Sequence, residues 1–125
     1  MVGVGAGSAH FFCQPQVPCG KVAAEVFANA GLTVKPASEE VDVKSVLTKV
    51  QLGEVDAGMV YVTDVQAAGD KVKGVEIPDT QNASTSYPIA ALEGSKHQKE
   101  AAEFVDLVLS DDGAKVLEEA GFAQP

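Results

Sequence analysis

The segment Gln16-Val17-Pro18-Cys19-Gly20 sets a proline and a glycine where a turn runs into a helix. Backbone N–H groups at such a start have no intrahelical acceptor, and proline's missing N–H costs nothing there. A second helix start is read at Glu40-Val41-Asp42-Val43. The buried strand Asp56-Ala57-Gly58-Met59-Val60-Tyr61 ends in a tyrosine whose hydroxyl can donate a hydrogen bond. Aligned peptide dipoles add roughly half a positive charge at each helix start. Two backbone amides, those of Cys19 and Val43, and one phenol, that of Tyr61, therefore make an uncharged donor set suited to a small oxyanion. Each has a plainer reading as well. Pro-x-Gly is common at helix starts, and a tyrosine ending a buried strand is more often core with its hydroxyl satisfied locally. From the residues alone the three outline an anion site and no more.

The elements that position them belong to a chain of 125 residues, 46% hydrophobic and 22% charged, the length of one domain or of one lobe and part of another. Eighteen acids against nine bases give a net charge of −9, and no Lys or Arg cluster occurs. That balance argues against nucleic acid or an anionic membrane as partner. It is only a weak objection to an anion ligand, because local donors decide a buried site while net charge acts over screened distances. No run of about 18 apolar residues is present. Residues 1–8 are glycine-rich without the basic and apolar regions of a signal peptide, and read as a flexible start. Cys13 and Cys19 flank a proline-containing turn. They either close a small-loop disulfide in an oxidising compartment or remain two unpaired small side chains, and the spacing leaves both open. His10 and His97 stand alone, so no Cys/His metal spacing is found.

Residues 9–13 read as a short buried strand, followed by a helix from Pro18 to about Asn29 with Val22, Ala23, Val26, Phe27 and Ala30 on one face and Gly31 at its end. Residues 32–36 alternate as a strand. Ser38 or Asp42 opens the next helix, whose stripe is Val43, Val46, Leu47 and Val50. Residues 55–62 form the strongest strand signal, with Thr63 and Asp64 capping a short helix through Ala68. Further strands are expected at 72–77 and 86–92, the latter interrupted by Pro88 and so an edge or a crossing. Two helices follow, 96–109 with Ala101, Phe104, Val105 and Val108 inward, and 111–120 with Ala114, Leu117 and Ala120 inward. Strands alternating with helices at this spacing predict an α/β fold with a largely parallel sheet, whose ligands lie beyond the carboxyl ends of the strands.

The order of Gln16-Val17-Pro18-Cys19-Gly20, Glu40-Val41-Asp42-Val43, Gly58-Met59-Val60-Tyr61-Val62-Thr63-Asp64, Ser86-Tyr87-Pro88-Ile89-Ala90 and the terminal Gly121-Phe122 strongly resembles the molybdate-binding periplasmic proteins. These are the solute-capturing subunits of ATP-driven molybdate importers. The resemblance implies a type II periplasmic-binding-protein-like fold: residues 9–86 as part of the ligand-bearing α/β lobe, and residues 87–125 as a hinge strand and C-terminal helices that belong with the other lobe. It implies molybdate or tungstate as ligand, held by neutral donors that map onto Cys19, Val43 and Tyr61, with no cofactor and no catalysis. It also implies a membrane permease of an ABC importer as partner and an extracytoplasmic, periplasmic location, which favours the Cys13–Cys19 pairing. The family's remaining donors are serines in segments that precede those matched, and Ser8 matches none of them.

Two other readings accompany this one. A partial protein of this kind could be a non-binding, self-associating module, a homo-oligomer that covers the apolar faces of its terminal helices. A thiol enzyme using Cys13 and Cys19 finds neither a C-x-x-C motif nor a histidine partner.

Overall fold

The computed structural model describes residues 9–124; the start at 1–8, read above as flexible, lies outside the described residues. The chain divides into two packing units between Thr85 and Ser86. In the first, strands β1 (His10–Cys13), β2 (Ser38–Glu40) and β3 (Ala57–Gly58) form a parallel sheet in the order β2-β1-β3. Helices α1 (Pro18–Asn29), α2 (Val43–Gln51) and α3 (Val62–Ala68) each follow one strand.

Alternation along β1 builds the core. Phe11 and Cys13 face a cluster with Val46, Leu47, Ala57, Val60 and Ala68, whereas Phe12 faces a second cluster with Ala23, Val26 and Met59. The central strand is therefore apolar on both sides, with α1 filling one face and α2 and α3 the other, as a parallel sheet requires. Phe12 and Phe27 pack as a tilted pair, their ring centroids 5.0 Å apart, on the α1 side. Val46 on α2 is fully buried.

Pro18 at the first helical position and Gly31 at φ +67° bracket α1. Gly20 answers a different need. A Cβ there would fall 1.9 Å from the Gln14 carbonyl oxygen, so only glycine lets α1 start this close to the end of β1. Gly20→Ala is expected to lower stability by about 1–3 kcal/mol, because the opposing atoms are backbone and cannot step aside. Thermal denaturation of the variant reads this out.

Several expected elements differ. The edge strand is Ser38–Glu40, not 32–36. Alternation drew the reading to Leu32 and Val34, but the ladder forms from acidic residues whose buried carboxylate, that of Glu40, is neutralised by Lys49. The 55–62 run is buried at Val55, Ala57, Met59 and Val60, yet only Ala57–Gly58 pairs as a strand. Tyr61 is the N-cap of α3 rather than a strand end, and Asp64 caps from inside the helix. Residues 72–77 hold no strand: their apolar positions Val72, Val75 and Ile77 lack a period of two, and Val72 and Ile77 instead pack on opposite core clusters. Residues 86–92, expected as a hinge strand, also have no strand pairing, consistent with Pro88 lacking an N–H.

The second unit holds α4 (Gln98–Val108) and α5 (Asp111–Glu119), packed on each other. Ser110 accepts the Gly113 N–H as the cap of α5. Tyr87 meets Phe122 edge to face at 5.9 Å. Neither helix has a buried residue. Phe104, Leu117 and Ala120, expected inward, are exposed.

Candidate functional site

All three strands run the same way, so their carboxyl ends share one edge of the sheet, and each leads to a helix start. Cys19 is the second residue of α1, Val43 the first of α2, and Tyr61 the cap of α3. Strand-to-helix turns on the carboxyl edge are where ligands of open α/β sheets lie.

Pro18 brings no N–H, which leaves the Cys19 amide as the first of α1, with no intrahelical acceptor. A disulfide joins Cys19 to Cys13, the last residue of β1, with their Cα atoms 5.7 Å apart. Both cysteines are thereby paired in the structure. The next residue, Gln14, donates its N–H to the Glu40 carbonyl at 2.8 Å, which ties the exits of β1 and β2 together.

At α2, the Asp42 carboxylate accepts the Ser45 N–H at 2.7 Å. That bond, with a further contribution from the Lys44 amide, holds Asp42 below its usual carboxylate range. The cap thus satisfies the third amide of α2, and the first, that of Val43, has no acceptor within the helix. Behind it, Glu40 accepts from Lys49 Nζ at 2.8 Å and from Ser38 Oγ at 2.9 Å, and Lys49 lies 4.9 Å from the centre of the Phe11 ring. The hydrogen bond from Lys49 is the main cause that lowers the Glu40 pKa. α2 is fixed on β2 by this pair.

The helix starts of α2 and α3 are joined as well. Asp64 is 4% exposed, and its two oxygens serve different partners: Oδ1 takes Lys44 Nζ at 2.9 Å and Oδ2 takes the Tyr61 N–H at 3.1 Å. Neither partnership was visible as periodicity. The Tyr61–Asp64 spacing is that of a capping box with tyrosine in place of serine or threonine, and this was the available signal.

Cys19 and Tyr61 line one depression, floored by Val22, Ala23, Met59 and Val60. Its enclosed space is about 10 Å³, the room of a single water and less than a tetrahedral oxyanion needs. Val43 does not line it, but packs with Cys19 against the same core cluster. A larger hollow of about 370 Å³ runs along α2 between Glu40, Asp42 and Glu54 and the ammonium groups of Lys44 and Lys49. It contains none of the three donors, and its mixed charge offers an anion no net attraction.

The carboxylates set a pH dependence. Glu40 and Asp42 both have folded pKa values below their ordinary 4.5 and 3.8, so their stabilisation is complete above those values and is lost as pH falls through the folded ones. Stability is expected to be level above about pH 5 and to decline below it. Glu40→Gln should remove the upper part of that decline in acid titrations followed by circular dichroism.

Three parallel strands deliver three helix starts to one edge of the sheet. The chain belongs to the bacterial extracellular solute-binding proteins, whose family model matches residues 11–123. Over 113 residues it is 38% identical to the molybdate-binding protein ModA of Mycobacterium tuberculosis, covering 90% of this chain and 43% of that protein. The ModA of Mycobacterium bovis matches to the same extent. The Bacillus subtilis protein YvgL, named as a candidate ABC transporter substrate-binding lipoprotein, is 42% identical over 85 residues, 65% of this chain and 31% of its own length. The chain therefore spans less than half the length of the curated relatives it matches. No solved structure gives a significant match. Among the described residues no helix is long and apolar enough to cross a membrane.

Proposed function

We propose that the first unit carries one lobe's share of a molybdate or tungstate site, with the Cys19 and Val43 amides and the Tyr61 hydroxyl as donors. The observation that carries this reading is the meeting of three helix starts at one edge of the parallel sheet, with Cys19 and Tyr61 lining one depression. Neutral donors suit a chain of net charge −9, because they bind an anion without recruiting a cation. The names of the mycobacterial relatives support molybdate as the ion. In this reading the protein works outside the cytoplasm and hands its ion to the permease of an ATP-driven importer. The depression is too small to enclose the ion, so an opposing surface must complete the site. If two serine donors are lacking, affinity falls by about 10² to 10⁴, at roughly 1.5–3 kcal/mol for each hydrogen bond to the charged ion. Titration calorimetry with sodium molybdate and sodium tungstate tests this. Saturable heat with both ions supports the reading, and none with either up to tens of millimolar overturns it.

A second reading is favoured by the second unit. Phe104, Leu107, Leu109 and Val116 on α4, α5 and the turn between them are each 58–65% exposed. Such a surface is suited to self-association, whether or not the ion binds. Light scattering at tens of micromolar is expected to give a mass above that of one chain, and a clean monomer would contradict it.

A further inference from the structure

We propose that Asp64 is a positioning residue that locks the starts of α2 and α3 into one register, so that the Val43 amide and Tyr61 are presented together.

Its carboxylate is nearly buried and spends one oxygen on each helix, Oδ1 on Lys44 of α2 and Oδ2 on the Tyr61 N–H of α3. Lys44 is the residue after Val43, and Tyr61 is itself a proposed donor, so one side chain touches the immediate frame of two donor positions. A cap of α3 needs only the Tyr61 bond. The link to Lys44 spans 20 residues of sequence and adds nothing to capping. What it adds is a tether between two elements that otherwise meet through the core cluster, where Val43 and Val65 both pack. Asp64 is the buried member, so removing Lys44 leaves a nearly buried carboxylate uncompensated, whereas removing Asp64 leaves an ammonium that is already largely in solvent. Lys44 itself is largely exposed along its side chain, so its loss opens no cavity in the core.

The consequence for binding rests on the oxyanion reading; the tether does not. The test uses the full chain with Lys44→Met, Asp64→Asn and Asp64→Ala, read by amide hydrogen exchange in NMR spectra and by calorimetry with sodium molybdate. Asp64→Asn keeps an acceptor for the Tyr61 N–H and loses only the ion pair. Lys44→Met is expected to speed exchange of the Tyr61 amide about fivefold, although Lys44 does not touch it, and to weaken molybdate binding by a similar factor. Asp64→Ala should do both more strongly, with Asp64→Asn between. Amides of β1 and α1 should be unchanged in Lys44→Met and Asp64→Asn. Unchanged Tyr61 exchange in Lys44→Met overturns the proposal, as does an acceleration spread evenly through β1 and α1. If Asp64→Ala does not fold, the other two variants still decide. A wild-type chain that gives no molybdate heat overturns the proposed function and leaves the exchange data to decide the tether.

Discussion

Tyr61→Phe is expected to weaken molybdate binding by about tenfold or more while leaving the fold intact. The substitution removes one oxygen and keeps the ring, so the wall that Tyr61 gives to the depression beside Cys19 is retained. The N-cap role of Tyr61 also survives, because the bond that closes the start of α3 comes from its backbone N–H to Asp64. What is lost is a hydrogen bond to an ion, worth roughly 1.5–3 kcal/mol, or a factor of about 10 to 150. Calorimetric titration of the variant beside wild type measures the change, and thermal melting of both without ligand separates it from a folding defect. Equal affinities would remove Tyr61 from the donor set even with the fold unchanged.

Loss of the Cys13–Cys19 disulfide should have a large effect on stability. The bridge ties the last residue of β1 to the first turn of α1 across a sequence separation of 6. A loop that short constrains the unfolded chain by about 2–3 kcal/mol. The double variant Cys13→Ala with Cys19→Ala is expected to lose this amount in denaturant titrations. Dithiothreitol should reproduce the loss in wild type and do nothing further to the variant. Molybdate affinity should drop only several-fold, because the donor proposed at Cys19 is its backbone amide, which persists without the bridge but is held less firmly. An affinity lost outright on reduction would instead point to the disulfide shaping the site.

The helices of the first unit could be read from the chain because their signals are local. Pro18, Gly31 and the Val22–Val26 face set α1, and Asp42 before an apolar stripe sets α2. The strands were less legible. β2 is made from Ser38, Glu39 and Glu40, residues no strand propensity favours, and it forms because Lys49 arrives from α2 to compensate Glu40. Tyr61 followed an apolar run and so resembled a strand end, while its place as a helix cap depends on Asp64 folding back to its N–H. The three positions proposed as donors nevertheless fall at one edge of the sheet, because a strand end and a helix start are neighbours at the carboxyl edge of a parallel sheet. Asp64 and Lys44 were missed as a pair, since an ion pair between residues of different helices leaves no periodicity in the sequence. In α4, the 3.6-residue stripe placed Phe104 inward, whereas 58% of it is exposed. A stripe states which face is apolar, not whether a partner covers it.

The central claim is that one edge of this sheet binds a tetrahedral oxyanion through the Cys19 and Val43 amides and the Tyr61 hydroxyl. A titration of the isotopically labelled chain with sodium molybdate, followed by amide shifts in two-dimensional NMR spectra, tests it most directly because weak binding remains readable residue by residue. The account predicts saturable shifts concentrated at Cys19, Val43 and Tyr61 and their immediate neighbours, with amides of α4 and α5 unmoved. Shifts centred on the lysine-bearing hollow along α2, or no saturable shift at any of the three positions up to tens of millimolar, would contradict it.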